Sequence, residues 1–339
     1  SFSEDADLEI QVRNAQGEDV IYAVRSHVLE SASRVWKQSI PARTSDTIDL
    51  SSDSAYGLDI LFSIAHYRFQ SLPQQLDVGE LYGTAVAADK YEAIHLLAPF
   101  VKSWLVSLST AAESQSNETL VAGFVLGEAQ SFARTIAHCA YNSSLSTTEE
   151  GAVLLDAHGK PWSEQPLTGE VIDLLAAVRL SAIEQIIEAV SKPVNTLLNP
   201  QSGAAGGELP RFCQAPGDDD SVREECEQLQ LGSAIMSLTK AKLWPPPAPS
   251  SIQASPAELA RTYADVRLRR SVEDGHAQCG FGHQDQFARI LAQPAKLTPV
   301  VVEQLVSRAK QSGVYEEETF KALQEESPVE EEESAAVAE

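Results

Sequence analysis

Four side chains stand out for the chemistry their types allow. Cys213 and Cys226 lie 13 positions apart, and His276 and Cys279 form a His-x-x-Cys pair flanked by Gly275 and Gly280. Two thiolates plus a His/Cys pair on a tight turn are the right ligands for a closed tetrahedral zinc site, because soft sulfur and imidazole donors suit that ion. His283 is a rival fourth ligand. The plainer reading is open beside it: reduced cysteines packed as small apolar residues, since Cys213 and Cys226 are too far apart for a tight zinc knuckle. If a metal binds, four protein ligands leave no position for a substrate water, so the expected role is structural.

The remaining chemistry-bearing residues point to less. No G-x-x-x-x-G-K-[ST], H-E-x-x-H or G-x-S-x-G occurs, which leaves phosphate cradles, zincin chemistry and the nucleophile elbow unsupported. Gly280-Phe281-Gly282 lacks a third glycine and a preceding strand, so it reads as a loop. Cys139, beside Ile136 and Ala140 on a helical pattern, is expected in the core, and His66 and His95 as core or boundary histidines. An enzymatic site would have to be assembled around His276, His283 and Asp285, where spacing alone brings no nucleophile, base and orienting group together.

Charge narrows the partners. The 339 residues carry 49 acidic and 25 basic side chains, a net charge of −24, which repels phosphate backbones and anionic lipid surfaces. Direct nucleic-acid or membrane binding is not expected. Residues 316–339 hold 10 Glu and one Lys, so −9 sits in this stretch and −15 in the rest. Residues 313–339 therefore read as an acidic disordered tail, either a solvated extension or a docking strip for a basic partner. Four cysteines are too few for a disulfide framework, and no secretory signal or run of roughly 18 apolar residues is visible. The expectation is an intracellular protein, nuclear or cytoplasmic.

The elements that must position these residues give an α+β reading, with a small sheet flanked by helices and then a mainly α-helical C-terminal region. Leu8, Ile10 and Val12 alternate with Glu9, Gln11 and Arg13; after the turn at Asn14-Ala15-Gln16-Gly17, Val20-Ile21-Tyr22-Ala23-Val24 completes a hairpin. Val28, Leu29, Ala32, Val35 and Trp36 then fall on one helical face. A short strand at Ile48 and Leu50 follows, then helices over 56–69, 78–88 and 93–108. Residues 117–199 form a helical domain in which Val121, Phe124, Val125, Phe132 and Ile136 make one face and Val171, Leu174, Leu175, Val178, Ile186 and Val190 another. Between them Val153-Leu154-Leu155 and the stretch to Pro161 read as a strand and turn. Residues 200–312 open on a flexible loop with Gly203-Ala204-Ala205-Gly206-Gly207 and Asp218-Asp219-Asp220. Helices at 221–242 and 256–270 and from Gln284 and Pro299 make a domain that the zinc site would staple.

The first third resembles the BTB/POZ domain, in the version found in many filamentous-fungal proteins. The matching stretches are Asp7-Leu8-Glu9-Ile10-Gln11-Val12, Val28-Leu29-Glu30-Ser31-Ala32-Ser33-Arg34-Val35-Trp36 and, most specifically, Leu81-Tyr82-Gly83-Thr84-Ala85-Val86-Ala87-Ala88-Asp89-Lys90-Tyr91 running into Leu96-Leu97-Ala98-Pro99-Phe100 and Trp104-Leu105. Arg25 replaces the histidine usual three residues before the Val-Leu pair, and His27 lies beside it. Leu231-Gly232-Ser233 and Leu243-Trp244-Pro245 look like the C-terminal region of the same fungal proteins, where a pair like His276-Cys279 also recurs.

The resemblance implies a non-enzymatic protein–protein interaction scaffold or adaptor that forms homo- or hetero-oligomers through the BTB part. It implies a charged dimer interface at Asp7 with Arg25 as the base, beside the plainer reading of a surface or turn carboxylate; Trp36 and Ile40 are candidates for the apolar contact surface, with core packing the equal alternative for Trp36. Two specialised versions are a substrate adaptor of a cullin ubiquitin ligase and a partner-recruiting transcriptional regulator. The hydrophobic-x-acid signature of the first is not evident between Val35 and Arg43, and no DNA-reading module accompanies the second.

Overall fold

A computed structural model describes the chain except residues 15, 44, 150, 200–211, 216–219, 267, 271–274 and 326–339. The expected glycine-rich loop at 203–207, with Asp218 and Asp219, lies outside the described residues. The fold is α+β, with a three-stranded sheet near the N-terminus and helices dominating thereafter.

Strand β1 (Leu8–Arg13) buries Leu8, Ile10 and Val12 and exposes Glu9 and Arg13, as strict alternation requires. It pairs antiparallel with β2 (Asp19–Val24) in the register Leu8↔Val24 to Arg13↔Asp19. Helices α1 (Ser26–Ala32) and α2 (Arg34–Ser39) follow, and β3 (Thr47–Asp49) returns to lie parallel to β1, giving the order β2-β1-β3. The expected single helix through Val28 and Trp36 is two. Ser33 is extended (φ −148°), its hydroxyl accepting the Trp36 N–H and donating to the Tyr91 carbonyl at 2.5 Å.

Helix α3 (Ala55–Ala65) ends before the predicted residue 69, and α4 (Val78–Lys90) starts on an Asp77/Glu80 capping box. The two approach so closely that a Cβ on Gly57 would strike the Gly83 carbonyl. The predicted helix over 93–108 is instead a 3₁₀ turn at Ile94–Leu97 followed by α5 (Val101–Trp104) and α6 (Val106–Ser109), because Pro99 supplies no N–H to a continuous ladder. Helix α7 (Ser116–Leu126) stops at left-handed Gly127 (φ +71°), which divides the expected Val121-to-Ile136 face between α7 and α8 (Ala129–Asn142).

The hairpin β4 (Ser144–Thr148) and β5 (Gly151–Leu155) precedes the long α9 (Gly169–Leu198), α10 (Asp220–Lys240), α11 (Pro256–Ala264), α12 (His283–Leu291), α13 (Pro299–Ser312) and α14 (Glu317–Glu325). Strand β5 falls where strand and turn were read; α11 stops well short of residue 270.

The chain forms two compact units that cut across the four segments read from sequence. The first comprises Ser1–Ile136, Trp162–Leu174 and the residues from Ala295 on; the second, Ala137–Pro161 and Leu175–Pro294. In the first, α13 packs on α7, with the Ser312 hydroxyl donating to the Leu126 carbonyl at 2.6 Å. The segment beginning at 313 is not all tail: α14 is helical and buries Phe320, whose ring stacks on Tyr315. Residues 326–339, with most of the remaining acids, lie outside the described residues. Among the described residues no helix is long and apolar enough to cross a membrane.

Candidate metal centre

The four ligand candidates come from three pieces of the second unit. Cys226 belongs to the buried stripe of α10, which runs Cys226, Gln230, Ala234, Leu238 at helical spacing. His276 opens a 3₁₀ turn (His276–Gln278) entered through left-handed Gly275, and Cys279 closes it with its N–H donating to the His276 carbonyl at 3.0 Å. Side chains three apart eclipse in a 3₁₀ turn, so imidazole and thiol project to one side. Cys213 sits outside any helix or strand, where the Phe212 and Cys213 N–H groups both donate to the Glu227 carboxylate, at 2.8 and 3.2 Å.

All four are buried, at 4% exposure for Cys213, 0% for Cys226, 1% for His276 and 5% for Cys279, and their ligand atoms lie within 4.8 Å of one another. The Sγ atoms of Cys213 and Cys279 are 3.8 Å apart, and His276 Nδ1 is 3.5 and 3.6 Å from them. A tetrahedron with Zn–S of about 2.3 Å and Zn–N of about 2.0–2.1 Å has S–S edges near 3.8 Å and S–N edges near 3.5 Å. These three edges match it.

Supporting donors are also in place. The Gln214 N–H donates to Cys279 Sγ at 3.2 Å, and Gln230 Nε2 donates to Cys226 Sγ at 3.4 Å, the outer-layer contacts that orient and stabilise metal-bound thiolates. Burial pushes the Cys213 thiol up to about 11, and the neighbouring Cys226 and Cys279 add to it. With no cation, the Cys213 thiol holds its proton at neutral pH; a divalent ion reverses this, since a coordinating thiol is deprotonated. The group can therefore hold a metal.

No family model, curated protein or solved structure matches this chain.

His283, the rival ligand, is not in the cluster: it begins α12 after Gly282, with its ring edge-on to Phe281 and Phe287 and burial lowering its pKa. Asp285 is exposed on α12, so the grouping of His276, His283 and Asp285 is not brought together as a site. Glu227 and Gln230 were not singled out from sequence. Their signal was legible, since they fall one and four positions after Cys226, and a glutamine on a buried helical stripe calls for a partner.

The proposed interface residues separate. Trp36 and Ile40 are core, not contact surface, at 3% and 1% exposure. The Trp36 ring packs against Phe62 and Tyr91 with centroids 5.6 and 5.0 Å away. Asp7 and Arg25 do not pair within the chain. The Asp7 carboxylate accepts from the Ser26 N–H and hydroxyl at 2.7 and 2.6 Å, closing the start of α1, while Arg25 pairs with Asp5 at 2.5 Å. His66 is satisfied: Nε2 accepts the Arg25 N–H at 3.0 Å, Nδ1 lies 2.9 Å from the Phe62 carbonyl, and burial lowers its pKa. His95 is exposed, whereas Cys139 is buried at 2%.

Proposed function

We propose that this chain is a non-enzymatic protein–protein interaction scaffold, built on a BTB/POZ-like N-terminal domain and carrying a second unit stapled by structural zinc. The observation that carries the reading is the N-terminal architecture. A β1–β2 hairpin is extended by a parallel β3 after two short helices; β2 meets α3 through Tyr22, whose ring packs on Phe62, and α3 pairs closely with α4 at Gly57 and Gly83. β2 is an edge strand whose Ala23 carbonyl is taken by the Phe2 N–H, while its Ile21 is 56% exposed, so the outer edge short of Ala23 and an apolar side chain face outward. Association through such an edge draws affinity from burial of apolar surface and register from main-chain hydrogen bonds.

For the metal, the sulfur-rich donor set favours zinc over the harder divalent ions. The site holds a fold together, and partner binding is the function.

Light scattering of the full chain across micromolar concentrations, with copurification from native extract, tests the scaffold. A dimer or larger assembly, or a stoichiometric protein partner, supports it. A monomer at high micromolar concentration that retains no partner overturns it. Elemental analysis of protein purified without added zinc is expected to give about one equivalent, and less than about 0.1 equivalent rules the staple out.

A further inference from the structure

In the first unit, a cleft of about 520 Å³ opens between β2 and the start of α3, with Tyr22, Ala55, Tyr56, Asp59 and Arg13 in its lining. Tyr22 is anchored, its hydroxyl donating to the Ala55 carbonyl at 3.1 Å and its ring packed on Phe2 and Phe62. Tyr56 is 37% exposed at the mouth.

Asp59 is the unusual member. It is half-buried, and among the described residues no lysine or arginine pairs with it: Arg13 is engaged by Asp19, and Arg68 donates to the Ser1 carbonyl and lies over the Phe2 ring. Burial raises its pKa, only partly offset by Arg68 and the Ser1 amino group. The Asp59 charge acts on Tyr22, while Glu80, Asp77 and Asp59 all act on Tyr56; the cation in the lining, Arg13, is held by Asp19. A half-buried carboxylate that makes no ion pair, beside two tyrosines in a space large enough for a long side chain, offers a cation both a charge partner and ring faces.

We propose that this cleft binds a basic side chain, a lysine or arginine presented by a partner protein, with Asp59 as its counter-ion and the Tyr22 and Tyr56 rings as its walls. The proposal names the chemistry of the partner and rests on the cleft alone, so it stands or falls independently of the BTB likeness and of self-association.

The test is fluorescence polarisation of the full chain with a labelled ten-residue peptide containing two lysines and two arginines among glycines, at physiological salt. A peptide with four glutamates in place of the basic residues is the comparison. The basic peptide is expected to bind and the acidic one not to. Asp59→Asn should weaken binding roughly fivefold or more, and Tyr56→Ala by a smaller factor. Glu303→Gln, which removes an exposed acid on α13, should change nothing. Equal loss in Asp59→Asn and Glu303→Gln would reveal diffuse attraction to an acidic chain and overturn the site, as would unchanged binding by Asp59→Asn. Thermal melting supplies the second measurement. An amide replacing a desolvated, unpaired carboxylate should melt no lower than the native chain, whereas a marked loss of stability would make Asp59 structural and end the proposal.

Discussion

Arg308 on α13 donates to the Asp89 carboxylate on α4 at 2.6 Å, across 219 positions of sequence. The same guanidinium lies 4.6 Å from the centre of the Phe124 ring on α7. One side chain thus ties the returning C-terminal segment to two helices of the first unit. Both partners are shielded, at 19% and 26% side-chain exposure, so solvent screens the pair less than a surface ion pair.

Arg308→Met is expected to destabilise the first unit by about 2 kcal/mol, because it strands a shielded carboxylate and removes the cation from the Phe124 face. Asp89→Asn should lose less, and the double variant should fall short of the sum by about 1 kcal/mol. Urea unfolding of all four proteins measures this coupling; strict additivity would mean that the pair contributes nothing.

Arg179 is a larger test in the second unit. It is 2% exposed and donates to the carbonyls of Ser143, Ile252, Gln253 and Ala254 at 3.0, 2.8, 3.2 and 2.8 Å. It fastens the loop before α11 to the end of α8, and burial lowers its pKa. Arg179→Met leaves these acceptors without a donor and should cost about 3 kcal/mol or more. A change below about 1 kcal/mol in the unfolding free energy would show that water replaces the guanidinium there.

Metal binding should release protons. Burial holds the Cys213 thiol up at about 11, so at neutral pH zinc must displace thiol protons, and affinity rises with pH. Titrating zinc into weakly buffered metal-free protein at pH 7 should release about two to three protons per ion. Lowering the pH from 8 to 6 should weaken binding steeply, and Cys226→Ser should abolish tight binding. Proton-neutral binding would mean that the thiols are not the ligands.

Asp7 predicts an acid-side effect. Hydrogen bonds from the Ser26 hydroxyl and N–H hold its carboxyl below the usual range. A folded-state pKa below the unfolded one contributes stability that is fully present above the unfolded value of about 3.9 and is lost as pH falls through the folded value. Asp7 is exposed and screened by solvent, so Asp7→Ala should destabilise by only about 0.5 kcal/mol at pH 7, the low end of a helix-start contribution. The gap from the native chain should close near pH 2–3, and a gap that persists there would assign the effect to packing.

Local pattern carried much of this protein in its sequence. The alternation of Leu8, Ile10 and Val12 specifies the buried face of β1, and the chemistry of Cys213, Cys226, His276 and Cys279 singles out the group that the fold gathers and that could hold a metal. Both are read from residue type and short-range spacing, which the backbone periods convert directly into faces and turns.

Tertiary structure decided the rest. Only folding shows that Ser33 breaks a helix to meet Tyr91, that Trp36 and Ile40 are core, and that His283 stays out of the cluster while Cys213 and Cys279 close to 3.8 Å across 66 positions. It alone brings α13 back to α4 and α7 through Arg308. Periodicity encodes that a face must be buried but not which distant face will cover it. Loop-closure entropy grows only logarithmically with chain length, so sequence separation hardly restrains the choice of partner. Shape and polar satisfaction at the contact make that choice, and they exist only once both surfaces are folded.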